Sequence, residues 1–164
     1  MMRYMGSYSP VLNFIYRTVL FIESVIGIST VGAQTIVLKD RSVLLIKPTY
    51  RPYWEFPGGK AEKGEAPETA AIRETKEEAR IFVKKLDRKL GTYTDEQWNR
   101  KTTVHVFVAG IWEELDLWKP GVEIAERGFF SLDNLPQDIS PATMLRIKEL
   151  LSSPEKEFSS KWVY

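Results

Sequence analysis

The chain has 164 residues, 43% of them hydrophobic and 27% charged, with a formal net charge of +1, the balance of one soluble globular domain. A charge so near zero excludes a nonspecific nucleic-acid binder, whose footprint is a strongly basic patch, so any ligand selectivity must come from a pocket. The lack of cysteine excludes disulfides, zinc-thiolate sites and thiol catalysis, and agrees with a reducing, cytoplasmic setting.

In chain order, residues 11–28 come first. They are apolar apart from Asn13, Arg17, Thr18, Glu23, Ser24 and a few others, and nearly long enough to span a bilayer. Two charges argue against a span, since one charge at a helix centre costs about 2.5 to 3.5 kcal/mol on insertion. A broken apolar run without a small-residue cleavage site is also a poor secretory signal. Residues 1–28 are therefore expected to form an apolar helical segment packed on the domain or on a dimer partner, with membrane-surface attachment as the alternative.

Thr30 to Lys39 and Ser42 to Lys47 are rich in β-branched and aliphatic residues, and the break at Lys39-Asp40-Arg41 suggests a hairpin. A loop from Pro48 to Trp54 leads into Glu55-Phe56-Pro57-Gly58-Gly59-Lys60. Pro67, tolerated in a first helical turn because its missing N–H has no intrahelical partner there, opens a helix to about Arg80. At about 100° per residue, Ala71, Ile72, Thr75 and Ala79 share the core face. Glu74, Glu77 and Glu78 form an adjoining stripe, with Lys76 and Arg80 on the far side. Carboxylates at i, i+3 and i+4 repel unless a cation lies between them, and hard divalent cations such as Mg2+ or Mn2+ prefer oxygen ligands. Arg73 is in reach of Glu77 on the helix or of Glu65 in the preceding loop. A glutamate-rich helix is also a common solvated face; what singles this one out is its coincidence with the glycine turn and Glu65 at fixed offsets.

After the helix, Ile81 to Tyr93 and Thr102 to Trp112 read as strands separated by the polar segment 94–101. Ile124 to Phe130 adds a short strand. Ser140 as N-cap and Pro141 at the first helical position open a helix with Met144, Leu145, Ile147, Leu150 and Leu151 on its apolar face. Strands around a central helix, with a closing helix, make an α+β sandwich from 29 to 153. Residues 154–164 are a polar C-terminal tail.

Taken together, Gly59-x5-Glu65-x7-Arg73-Glu74-x-x-Glu77-Glu78 resembles the Nudix box, the signature of hydrolases that cleave nucleoside diphosphates linked to another moiety. The resemblance implies a Nudix-like α/β/α sandwich with a mixed β-sheet in a single domain, holding Mg2+ or Mn2+ against a pyrophosphate. By that likeness Glu77 and Glu78 are metal ligands, Glu74 is a ligand or the base that activates water, and the Gly58 carbonyl adds an oxygen. Arg73 and Glu65 are the orienting pair. Two positions depart from the box: Arg80 stands where glycine is usual, which puts the helix exit in doubt, and Thr75 stands where an aliphatic residue is usual. A downstream acid sometimes completes such sites; Asp95, Glu96, Glu113, Glu114, Asp116 and Glu123 are all available, with nothing in the sequence to rank them.

For substrate contact, the candidates are the aromatics Tyr50, Tyr53 and Trp54, which are equally suited to stacking on a base or anchoring a loop. Lys47, Arg51 and Lys60 are the candidate phosphate contacts, Lys60 foremost because it lies inside the box. His105 suits a structural role, its neighbours Val104 and Val106 pointing the other way. The segment from Trp54 to Lys60 is similar to that of family members that sanitise oxidised nucleoside triphosphates such as 8-oxo-dGTP. ADP-ribose and nucleotide sugars are the alternative substrates, RNA 5′ ends are less favoured in so weakly basic a chain, and a noncatalytic nucleotide-binding module is the reading from a different class. The expected partner is a small nucleotide and no stable nucleic acid, with a homodimer left open.

Overall fold

The computed structural model describes residues 9–27, 29–97, 99–115, 117–153 and 155–163. Ile28, Trp98 and Asp116, which figured in the expectations above, lie outside the described residues, as do residues 1–8. In chain order come α1 (Pro10–Ile26), β1 (Ser29–Ile36), β2 (Leu38–Lys39), β3 (Ser42–Pro48), β4 (Gly58–Lys60), α2 (Pro67–Ala79), β5 (Ile81–Gln97), β6 (Arg100–Glu114), β7 (Ile124–Ser131), α3 (Pro141–Ser152) and β8 (Phe158–Lys161). A mixed five-stranded sheet runs β4-β1-β6-β5-β8, and a second sheet runs β2-β3-β7. β1 pairs with β6 in parallel, and β8 with β5 in parallel.

Period-two alternation sorts side chains onto two faces. Val43 and Leu45 of β3, with Val106 and Val108 of β6, join Trp54 and Phe56 against Ile147 and Leu150 of α3. Leu44 and Ile46 pack with Ala79 and Ile81, and Phe107 packs with Ala70 and Ala71 of α2. The sheets are thus covered on both sides, giving the expected α/β/α layering. Each fully buried aliphatic or aromatic side chain contributes roughly 1.5 to 3 kcal/mol.

Several expectations are corrected. The hairpin over 30–47 is short: only Leu38 and Lys39 pair with Val43 and Ser42, because Val37 is buried in the core and β1 belongs to the other sheet. The polar segment 94–101 is mostly strand, with Asp95 opposite Thr102 and Glu96 opposite Lys101; a Glu96–Lys101 pair at 3.2 Å offsets the weak strand propensity. The C-terminal tail carries β8, and Trp162 packs on Tyr93 with centroids 6.3 Å apart. Helix α2 does exit through a left-handed residue, Arg80 at φ 53°. Its N–H bonds Lys76 O and its carbonyl accepts from Leu115 N at 3.0 Å, which offsets the roughly 1 kcal/mol penalty of a side chain there. In α3 the Ser140 cap forms as expected, accepting from Thr143 N at 3.1 Å. Leu151 is exposed while Arg146 is buried, its guanidinium 3.7 Å from the Tyr93 ring centroid and paired with Glu149.

The N-terminal segment forms a helix that meets the domain by its polar side. Ser9 caps it and Gly27 ends it in the left-handed conformation. It docks through polar groups: Asn13 Nδ2 donates to Tyr50 O at 2.7 Å, Tyr16 meets Tyr50 and Arg51, and Glu23 pairs with Lys60 at 2.9 Å. Its apolar residues largely face outward. No helix among the described residues is long and apolar enough to cross a membrane.

Candidate active site

The glycine turn sits where it does because nothing larger fits. A Cβ on Gly59 would lie 2.6 Å from Glu74 Oε1, and one on Gly58 would lie 2.2 Å from Ala33 O. Gly58 therefore lets β4 press against β1 and Gly59 lets it press against α2, and Gly58 N–H donates to Glu78 Oε2 at 2.8 Å. From the other side Arg73 gathers the acids. Its Nε and Nη2 hold both oxygens of Glu65 at 3.0 and 2.9 Å, a two-pronged geometry that lysine cannot reproduce. Its Nη1 donates to Glu74 at 2.8 Å and to Glu77 at 3.2 Å, and Nη2 reaches Lys60 O at 3.2 Å. Glu65 also accepts from Glu62 N at 2.8 Å, closing the loop between β4 and α2.

Electrostatics divide these carboxyls. The Arg73 hydrogen bonds, with the Glu62 N–H, hold Glu65 down at about 2. Burial pushes Glu74 up against the opposing pull of Arg73. Burial pushes Glu78 up furthest, to about 8, with Glu74, Glu55 and Glu123 adding to the rise. Among the described residues no Lys or Arg pairs with Glu78. The acids open on a cleft of about 360 Å³ whose other wall is Trp118, Lys119, Gly121, Val122, Glu123 and Ile124. Trp118 is pinned there by its indole N–H donating to Glu78 O at 2.8 Å.

Among the described residues, no three of these acids are gathered at the spacing of a finished metal site; Arg73 and the Gly58 N–H occupy carboxylate oxygens that a cation would take. The donor set nonetheless fits a hard divalent cation: it is all oxygen, it is partly buried, and Glu78 carries a raised pKa with no cation to relieve it.

The NUDIX domain model matches residues 25–150. This chain belongs to the Nudix family. Among similar proteins, mouse diphosphoinositol polyphosphate phosphohydrolase 3-alpha is 36% identical over 97 residues, covering 58% of each chain. ADP-ribose pyrophosphatase of Methanocaldococcus jannaschii is 36% identical over 113 residues, covering 65% of this chain and 64% of that one. The matched stretches thus span less than two thirds of these relatives. Among solved structures, a MutT Nudix hydrolase from Burkholderia pseudomallei superposes with a TM-score of 0.65 at 27% identity, covering 75% of this chain and 98% of that one.

With the Nudix frame in place, the residues expected from sequence separate. Glu65, Arg73, Glu74, Glu77, Glu78 and Gly58 come together. Trp54 does not face the cleft; it is buried in the core, edge-on to Phe130 at 4.6 Å. Arg51 is committed to buried Glu55 at 2.8 Å, so it is unsuited to a phosphate. Lys60 turns its ammonium to Glu23 of α1, and Lys47 turns to Asp138. Tyr50 packs on Tyr16, Tyr53 is exposed, and neither lines the cleft. His105 takes the structural role expected, its Nδ1 3.1 Å from Thr92 Oγ1 and its pKa lowered by burial.

Of the unranked acids, Glu96, Glu113 and Glu114 pair with lysines or arginines on strand surfaces, and Asp95 lies 3.8 Å from Arg100. Glu123 alone among the described five lines the cleft. Trp118 and Lys119 had no sequence signal beyond an aromatic and a lysine in a loop. Glu55 was legible only as one letter of the approach to the box, yet it lies behind Glu78.

Proposed function

We propose that this chain is a divalent-metal-dependent pyrophosphohydrolase that cleaves a nucleoside diphosphate linked to another moiety. The observation that carries the reading is the placing of a half-buried Glu78, with no Lys or Arg partner among the described residues, beside Glu74 and Glu77 on one wall of a cleft. Glu74, Glu77, Glu78 and the Gly58 carbonyl would hold Mg2+ or Mn2+, and Glu123 across the cleft is the downstream acid of choice. Bound there, the ion neutralises charge on the phosphoryl oxygens and lowers the pKa of water. Arg73, anchored by Glu65, aims the Glu74 and Glu77 carboxylates, so their geometry is set before substrate arrives. Glu74, with its pKa raised by burial, is suited to take a proton from the attacking water at an oxygen that Arg73 leaves open.

The charge of the cleft supports an order of substrates. Glu74, Glu77, Glu78 and Glu123 face one lysine, Lys119, a balance that suits a substrate with few phosphates held through metal and opposes a polyphosphorylated inositol ring. We place ADP-ribose first, on the likeness to relatives named ADP-ribose pyrophosphatase. Oxidised nucleoside triphosphates come second, on the likeness to structures titled MutT. The likeness of the Trp54 to Lys60 segment supports them through the catalytic loop alone, since Trp54 itself is in the core. The test is release of products from ADP-ribose, nucleotide sugars, plain and oxidised nucleoside triphosphates and a diphosphoinositol polyphosphate, with Mg2+ and with Mn2+. Turnover abolished by chelation and by Glu78→Gln is expected. Silence across the panel from folded protein would replace the hydrolase with a binding module.

A further inference from the structure

Helix α1 shows an ordered outward face. Val11, Phe14, Phe21 and Val25 are 67%, 72%, 67% and 67% exposed, and with exposed Thr18 they recur at intervals of 3, 4, 3 and 4 residues, the seam of a helix that packs on another helix. The seam is also a palindrome: Val, Phe, Thr, Phe, Val reads alike from either end. Laid antiparallel on its own copy with Thr18 on the axis, Val11 meets Val25, and Phe14 falls opposite Ile22, within one residue of Phe21. Such self-complementarity is the requirement of a twofold contact, in which residue i touches j and j touches i. The stripe runs along a helix about 25 Å long, and an exposed apolar stripe marks an interaction face.

We propose that the outward face of α1 is the contact between two copies of this chain, paired antiparallel about a twofold axis through Thr18. A lipid surface fits less well. Helices that lie on membranes keep a lysine- and arginine-rich face toward the headgroups, whereas α1 has a single basic residue, Arg17. Its polar face is already engaged with the domain through Asn13, Tyr16 and Glu23. One helix pair is a small interface, so the dimer dissociates at micromolar concentrations. The contact lies outside the cleft and is independent of what the cleft hydrolyses.

The test is sedimentation velocity of the full chain from ~1 µM to ~1 mM, beside the Phe14→Glu/Phe21→Glu double variant, with the folding of each checked by circular dichroism. Wild type should shift from monomer to dimer, and the double variant should remain monomeric throughout. Because the chain has no cysteine, Thr18→Cys gives one thiol on the proposed axis. It should oxidise to a disulfide-linked dimer many-fold faster than Lys148→Cys on exposed α3. A wild type that stays monomeric would overturn the proposal, as would a dimer that survives Phe14→Glu/Phe21→Glu. Monomer that instead cosediments with phosphatidylcholine and phosphatidylserine vesicles would reassign the face to lipid.

Discussion

Helices α1 and α2 have opposite arrangements. Helix α2 buries its small residues, Ala70, Ala71, Thr75 and Ala79, and presents glutamates to the cleft. Helix α1 buries a polar stripe and presents valine and phenylalanine. The difference lies in what each faces: α2 meets apolar side chains of β1 and β6, whereas α1 meets the carbonyl of Tyr50, the Arg51 guanidinium and the Lys60 ammonium. A buried polar surface demands hydrogen-bonding partners more strongly than an exposed apolar one demands cover. Periodicity identifies an amphipathic helix; the surface beneath it decides which side turns in.

The largest effect should come from removing the charge that α2 presents. Glu78→Gln is expected to lower kcat by about 10² to 10³-fold and to abolish the Mg2+-induced rise in Tm, measured by product release and by thermal melts. A rise in Tm that survives would detach Glu78 from the metal. The same residue makes a pH prediction for the metal-free protein. Its folded pKa is raised from 4.5 to about 8, so the folded state holds the proton more tightly than the unfolded one. The associated stability is full below about pH 4.5 and is lost as pH rises through 8, by at most about 5 kcal/mol. Urea melts in chelator from pH 5 to 9 should show that fall, Glu78→Gln should flatten it, and added Mg2+ should oppose it.

Next is the support behind the acids. Arg73→Lys keeps the charge and loses the fork, so kcat should fall about 10- to 100-fold with KM little changed; an equal fall in affinity with kcat intact would place Arg73 on substrate instead. The smallest effect tests α1. Tyr16→Phe removes the phenol that accepts from Arg51, and should cost about 1 kcal/mol of stability. If α1 truly rests on polar contacts, Tyr16→Phe should also make its amides exchange faster in hydrogen exchange, while Val19→Ala should not.

The box was legible because its chemistry is local: Glu74, Glu77 and Glu78 lie within one and a half turns, and Arg73 finds Glu65 across a single loop. Glu123 was not, because it is brought to the cleft by β7 pairing with β3 and by Thr49 N bonding Glu123 O at 2.8 Å, contacts far apart in sequence. Trp54 was ambiguous for the same reason, since an aromatic beside a catalytic loop is consistent with stacking on substrate or with packing against Phe130. The strand character of 94–101 escaped because polar residues such as Thr94, Asp95 and Glu96 gain their strand partners from β6, and Thr94 also from β8, contacts the local sequence does not show.

Strand β8 gives residues 155–163 a protective role. Without it, the backbone of Gly91 to Thr94 would be left as an open ribbon edge, and the ring of Tyr93 would lose the cover of Trp162. An unpaired edge is a template for other chains. The C-terminal segment therefore works as a guard against self-templated aggregation, and an affinity tag fused there belongs on a spacer that leaves Phe158 to Lys161 room to pair.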